Sequence, residues 1–323
     1  MKSNTFQNQN EKRWQELEGV LDQLDSKDAT PETASKLPGL FRQACSDLSL
    51  AQHRMYGLAL CERINKLVIR SYKHLYRSTS GTWARVFDFF WFDLPQKIRQ
   101  EWKLFWLCQA MFWIPVLILW ASAYHDPRWV QSVLGAGGMA SLEEGYGHGA
   151  KVSDVRDNFG SNFLMFGFYI RNNIGIDFQT FAGGMLAGVG TIFYIVFNGI
   201  HFGAAIGYVH LACDPANFFN WVSGHSSFEL MGMVLSGMAG MKLGLTLIHP
   251  GQYARSHALL QAGKTSIVLL IGAATMTFIA AIIEGFWSPQ VIEPRIKYIV
   301  GNSLWLLIFV YFFFAGRGTR REA

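Results

Sequence analysis

Charge is scarce in this 323-residue chain: 16% of its residues are Asp, Glu, Lys or Arg, against about 25% in soluble domains. The shortfall is uneven. Residues 1–103 carry many charges of both signs, whereas long apolar runs dominate from Leu104 onward. Half of the residues are hydrophobic and the mean hydropathy is positive. This balance excludes a single soluble domain and predicts a charged front end joined to a membrane domain. Cysteine is scarce too: Cys45, Cys61, Cys108 and Cys213 are scattered and form no CxxC, which excludes a disulfide framework and leaves no zinc spacing. The first residues, MKSNTFQNQNEKRWQ, lack the apolar core of a signal peptide, so insertion is expected to use internal segments.

Catalytic signatures are missing as well. HExxH is absent, since His225 and Glu229 supply one His and one Glu, and His201 and His210 fall on opposed helix faces. GHSSF at residues 224–228 lacks the closing glycine of a nucleophile elbow. No enzymatic activity, cofactor or bound metal is expected. His225 with Glu229 and Glu284 is the one ligand-type combination left open. No nucleic-acid module occurs either, and the net charge of +5 reads as a topology signal.

What is present is helix. Residues 1–10 read as disordered, and Trp14, Leu17, Leu21 and Leu24 give helical spacing over residues 11–25. After a loop at Pro31, Leu60, Ile64, Leu67 and Val68 make an apolar stripe on a long amphipathic stretch. Residues 86–94, VFDFFWFDL, are too short to span and suit an interfacial elbow. The expected division is a cytoplasmic helical region over 1–95 and a transmembrane helical domain over 96–323. Five apolar runs, 104–124, 181–212, 222–248, 265–287 and 298–316, are long enough to cross a bilayer.

Five spans would place the C-terminal RGTRR outside. A sixth at 158–179, with Arg171 at its inner end, puts Lys97, Arg99, Lys103, Arg171, Arg255, Lys264, Arg317, Arg320 and Arg321 inside. The outer loop 125–157 then holds Asp126, Glu143, Glu144, Asp154 and Asp157 against Arg128, Lys151 and Arg156, with Arg295 and Lys297 outside as exceptions. The expectation is therefore an all-α bundle of about six spans with both termini inside. A re-entrant or interfacial helix at 158–179 is the alternative.

Two spans carry ladders of small residues: Gly232, Ser236, Gly240 and Gly244, and before them Gly199, Gly203 and Gly207. This pattern lets helix backbones approach closely in lipid, so the two helices are expected to pack against each other or across a homodimer interface. Glu229 shares the ladder face, with His225 one turn back. Lys242 points the opposite way and is expected to reach cytoplasmic headgroups as an anchor. Glu284 and Asn302 lie at the outer level of His225 and Glu229, with Asn198 deeper. These five are the expected intramembrane polar cluster, costly to insert unless they face the bundle interior.

Asn172-Asn173, Asn198-Gly199 with Gly203, the His225-xxx-Glu229 helix, and Glu284 before Phe286 and Pro289 together resemble the stage II sporulation protein M family. The stretch LPGLFRQACSDLSLAQHRMYG also resembles the front half of its longer members. Ser226 and Gly224 depart from the usual residues beside the histidine. The resemblance implies a multi-span protein of the bacterial cytoplasmic membrane that works with partners, the founding members acting in cell-wall remodelling. Two functions stay open. The first is a scaffold, homodimeric, binding other membrane or envelope proteins and the lipid bilayer. The alternative is a transporter or channel using the Glu/His cluster.

Overall fold

The computed structural model describes residues 3–26, 29–76, 82–150 and 159–318. Every regular element among them is helical. They divide into two compact units, residues up to 81 and residues from 82 onward, each with its own apolar core.

The first unit holds α1 (Ser3–Ser26), α2 (Pro31–His53) and α3 (Leu58–Leu75). Thr30 caps α2 by accepting the Thr33 amide at 3.2 Å, with Pro31 in the first turn, where a missing amide proton costs nothing. Trp14, Leu17, Leu21, Ile64 and Leu67 fill the core, so the α3 stripe faces inward as expected. The N-terminus does not follow the expectation of disorder. The helix begins at Ser3, because Phe6 and Asn10 extend the four-residue spacing of Trp14. Phe6 is buried against the Trp14 ring, centroids 5.8 Å apart. Asp47 accepts from the Trp14 indole at 3.0 Å, and Arg63 makes two bonds to Glu11, at 2.8 and 2.9 Å.

The second unit opens with α4 (Thr82–Asp88), a π-turn (Phe89–Asp93) and α5 (Leu94–Gln100). This aromatic segment belongs to the same compact unit as the apolar helices: Leu94 is buried, and Phe87 and Trp91 stack in the open. Then follow α6 (Trp102–Ala123), α7 (Arg128–Tyr146), α8 (Asn162–Tyr169), a π-turn (Ile170–Ile174), α9 (Gly175–Ala182) and a 3-10 turn (Gly183–Met185). The last elements are α10 (Val189–Ala212), α11 (Pro215–Val222), α12 (Ser226–Ile248), α13 (Arg255–Ile282) with a π-turn (Ile283–Trp287), and α14 (Pro294–Phe314). Part of the expected outer loop is thus the helix α7. Asn158, Lys151, Asp154, Arg156, Asp157, Arg320 and Arg321 lie outside the described residues.

Among the described residues, five helices are long and apolar enough to cross a membrane: α6, α10, α12, α13 with its π-turn, and α14. The segment 162–185 also runs through the helix bundle as a sixth pass, without belonging to these five candidate spans. α6 and α10 run parallel, since Gly199 meets Phe112, Gly203 meets Val116 and Gly207 meets Ala123. The chain between them must therefore return through the bundle. It does so antiparallel to α13, with Asn162 and Phe166 against Gly285 and Asp177 against Thr277, and further on Gly184 meets Gly240 of α12. A re-entrant loop would return to the level it left, and this path does not. Arg171, Asn172, Asn173, Asp177 and Gln179 keep the pass below the hydropathy of the other five. It extends to Met185, so Arg171 stands midway along it, not at its inner end.

The ladders pair differently from the expectation. That of α10 packs on α6, while in α12 Gly232 meets Thr277, Gly240 meets Gly184 and Gly244 meets Gly188. Ser236 donates to the Asp177 carbonyl. Each ladder residue is consumed within one chain, because a glycine stripe serves whichever backbone comes nearest. α12 is the central helix, buried on most of its faces. Lys242 finds a protein partner at that helix end. It pairs with Glu101 at 2.5 Å, an acid at the N-cap position of α6.

Candidate functional site

His225 occupies the N-cap position of α12, and Glu229 follows one turn later. Glu284 comes from the π-turn that ends α13. Such a turn inserts an extra residue and re-aims the side chains around it. His225 Nε2 lies 3.8 Å from Glu229 Oε2 and 3.7 Å from Glu284 Oε1, beyond hydrogen-bond length. His225 and Glu284 are buried. Glu229 keeps 27% of its side chain accessible because it faces a cavity of about 240 Å³.

Behind the histidine the contacts continue. Its Nδ1 meets Ser288 Oγ at 3.2 Å, and Lys297 Nζ donates to the Ser288 carbonyl at 2.7 Å. Lys297 is fully buried, its ammonium 5.7 Å from the centroid of the Trp287 ring. On the other side the cavity is lined by Asn172, Asn173, Asn198 and His201. Asn172 donates to Asn173 at 2.8 Å, and the Asn198 amide is spent on the Tyr194 carbonyl at 2.8 Å.

Four of the five residues expected in the polar cluster meet around this cavity, His225, Glu229 and Glu284 directly and Asn198 on its wall. Asn302 does not join them. It is exposed and borders a separate hollow with Tyr298 and Trp305. Its neighbour Gly301 takes the inward position against Ser223, and one residue of helix turns a side chain by about 100°.

Three contributors escaped the sequence reading. Asp177 is buried on the sixth pass and accepts from Thr277 Oγ1 at 2.5 Å. Ser288 looks like any loop serine. Lys297 was assigned to an outer loop, although an exception to a charge rule was itself the available signal.

The imidazole and two carboxylates present one ligand atom each, all within 4.8 Å of one another. Such a set can share a proton or hold a metal cation.

Residues 105–289 match the family model described as stage II sporulation protein M. Residues 4–77 match one described as a domain of unknown function, DUF8413. An uncharacterised protein of Methanocaldococcus jannaschii is 30% identical over 98 residues, covering 28% of this chain and 55% of that protein. The chain thus spans about half the length of this curated relative. No solved structure matches.

Proposed function

We propose an ion-handling function for a chain that belongs to the stage II sporulation protein M family. The family and the five apolar helices make it a membrane protein. The proposed arrangement is a multi-pass protein of the bacterial cytoplasmic membrane, with both termini inside. It moves a proton or cation through the site of His225, Glu229 and Glu284. One observation carries this reading: ionisable side chains from two helices converge on a cavity among apolar helices. Intramembrane ionisable groups of that kind mark ion and proton paths, and no reaction is proposed.

Reconstitution in liposomes tests it. Proton or cation flux is expected from the wild type and is expected to vanish in Glu229→Gln, with the melting temperature and monodispersity kept. A wild type silent under proton, potassium and divalent gradients would sink the proposal.

A second reading is favoured by α3. Leu58, Ile69, Tyr72 and Tyr76 are 76%, 47%, 56% and 66% exposed and share one face of its helical path. In this reading the protein is a scaffold, homodimeric, that holds envelope-remodelling or other membrane proteins on that face. Photo-crosslinking from position 72 in native membranes, beside the exposed position 32 on α2, tests it. A discrete adduct from 72, with no flux in liposomes, would favour the scaffold.

A further inference from the structure

We propose that His225, Glu229 and Glu284 bind a first-row transition-metal dication, coordinated by His225 Nε2 and one oxygen from each carboxylate. This deepens the ion-handling reading and rests on the same site.

Geometry comes first. The three ligand atoms define a triangle with sides of 3.7 Å, 3.8 Å and at most 4.8 Å. A point equidistant from its corners lies at most about 2.4 Å from each, close to the roughly 2.0–2.2 Å of zinc–nitrogen and zinc–oxygen bonds. The same separations are too long for the groups to hydrogen-bond to one another. The site is open by about the size of an ion.

Orientation agrees. When His225 donates its Nδ1 proton to Ser288 Oγ, 3.2 Å away, the lone pair of Nε2 faces both carboxylates. Metal-binding histidines are commonly fixed through the other ring nitrogen in this way. Three lone-pair atoms then converge with no donor between them.

An independent observation concerns Glu284. Its residue is 5% exposed, and its Oε2 makes no well-formed hydrogen bond among the described residues, the Tyr169 hydroxyl and the Trp221 indole being the polar groups beside the carboxylate. Buried polar atoms without partners are rare in folded proteins. The buried Lys297 ammonium donates to the Ser288 carbonyl and forms no ion pair with Glu284 among the described residues. A cation in the cavity, with water completing its shell, would meet this need.

Charge and softness select the ion. Two carboxylates balance a dication among apolar helices, where an unbalanced charge is expensive. One imidazole with two carboxylates and no thiolate suits zinc, manganese, iron(II) or cobalt. It does not suit copper(I), nor calcium or magnesium, which prefer all-oxygen shells. His225 and Glu229 stand one turn apart on α12 while Glu284 comes from the end of α13, so no complete linear metal motif marks the set.

The test uses the full chain in detergent or nanodiscs, stripped with chelator and titrated with Co²⁺ and Mn²⁺. One saturable ion per chain is expected, with at least tenfold weaker binding in Glu284→Gln and Glu229→Gln and no weakening in the Glu32→Gln surface control. Pulsed EPR of bound Mn²⁺ in the wild type is expected to show coupling to imidazole nitrogen, a readout that survives if a variant fails to fold. No saturable ion, no nitrogen coupling, or wild-type affinity in both Gln variants overturns the assignment. Proton flux without metal binding would remove the metal and keep the ion-handling reading. Metal binding without any flux would do the reverse.

Discussion

Thr277 on α13 donates its hydroxyl to Asp177 on α9 across 2.5 Å, while the Asp177 carbonyl accepts from Ser236 on α12. One residue of the least apolar pass therefore ties together the two helices that pack most closely behind the site. That bond replaces the water which a buried carboxyl would otherwise require.

Thr277→Val keeps the shape of the side chain and deletes the donor. It is expected to destabilise the detergent-solubilised protein by about 1–3 kcal/mol, the cost of leaving a buried acceptor unpaired. A double-mutant cycle with Asp177→Asn, read by thermal melting, should be clearly non-additive. Additivity would mean that the two groups do not interact.

Gly199 faces the backbone of α6, and a Cβ placed there would stand 2.5 Å from the Phe112 carbonyl oxygen. Gly199→Leu must push α10 away from α6 and is expected to cost about 1–3 kcal/mol or more. Gly263 on α13 has nothing within 4 Å of such a Cβ. Gly263→Ala should be neutral or stabilising by up to about 1 kcal/mol, because alanine loses less backbone entropy in a helix. Melting temperatures of the two variants decide the point.

Lys242 and Glu101 form a pair with 30% and 19% of their side chains accessible. Lys242→Met alone should destabilise by about 1–3 kcal/mol, between the values for exposed and buried pairs. The exchange Lys242→Glu with Glu101→Lys should recover part of that loss. If the exchanged protein melts no higher than the worse single mutant, the pair is not what holds these helix ends together.

In the N-terminal unit, hydrogen bonds from Arg63 hold the Glu11 carboxyl below its ordinary value of 4.5. A depressed acid contributes stability that is complete above its unfolded value and is lost as the pH falls through the folded one. The protection factors of the α1 amides in the full-length protein, exchange rates corrected for their intrinsic pH dependence, should therefore be steady from neutral pH down to about 5 and fall below about 4. Solvent screening limits this part to about 1 kcal/mol. Arg63→Met should flatten the acid limb, and an unchanged profile would assign it to other carboxylates.

Much of the architecture was legible because span length and charge deficit are local properties. Five of the apolar runs are five helices, and the α3 stripe faces a core. Phe6 was misjudged because its neighbours are Asn and Gln, and its ring packs on Tyr56, far along the chain, as well as on Trp14. The sixth pass was anticipated only through the charge of the loops. Its own residues, with Asn172, Asn173 and Asp177, look half polar because they face partners and a cavity instead of lipid.

By itself the sequence determined the solvent and the class of this protein: a charged helical front end, apolar helices of spanning length, and a His–Glu pair one turn apart. Each follows from residues close together in the chain. Only the tertiary structure decided which backbone each glycine meets, that Lys242 closes on Glu101, that Glu284 reaches His225 while Asn302 turns away, and that Lys297 is buried behind Ser288. Those outcomes depend on helix phase and on which helices become neighbours. A π-turn or one residue of rotation changes them without altering composition or periodicity.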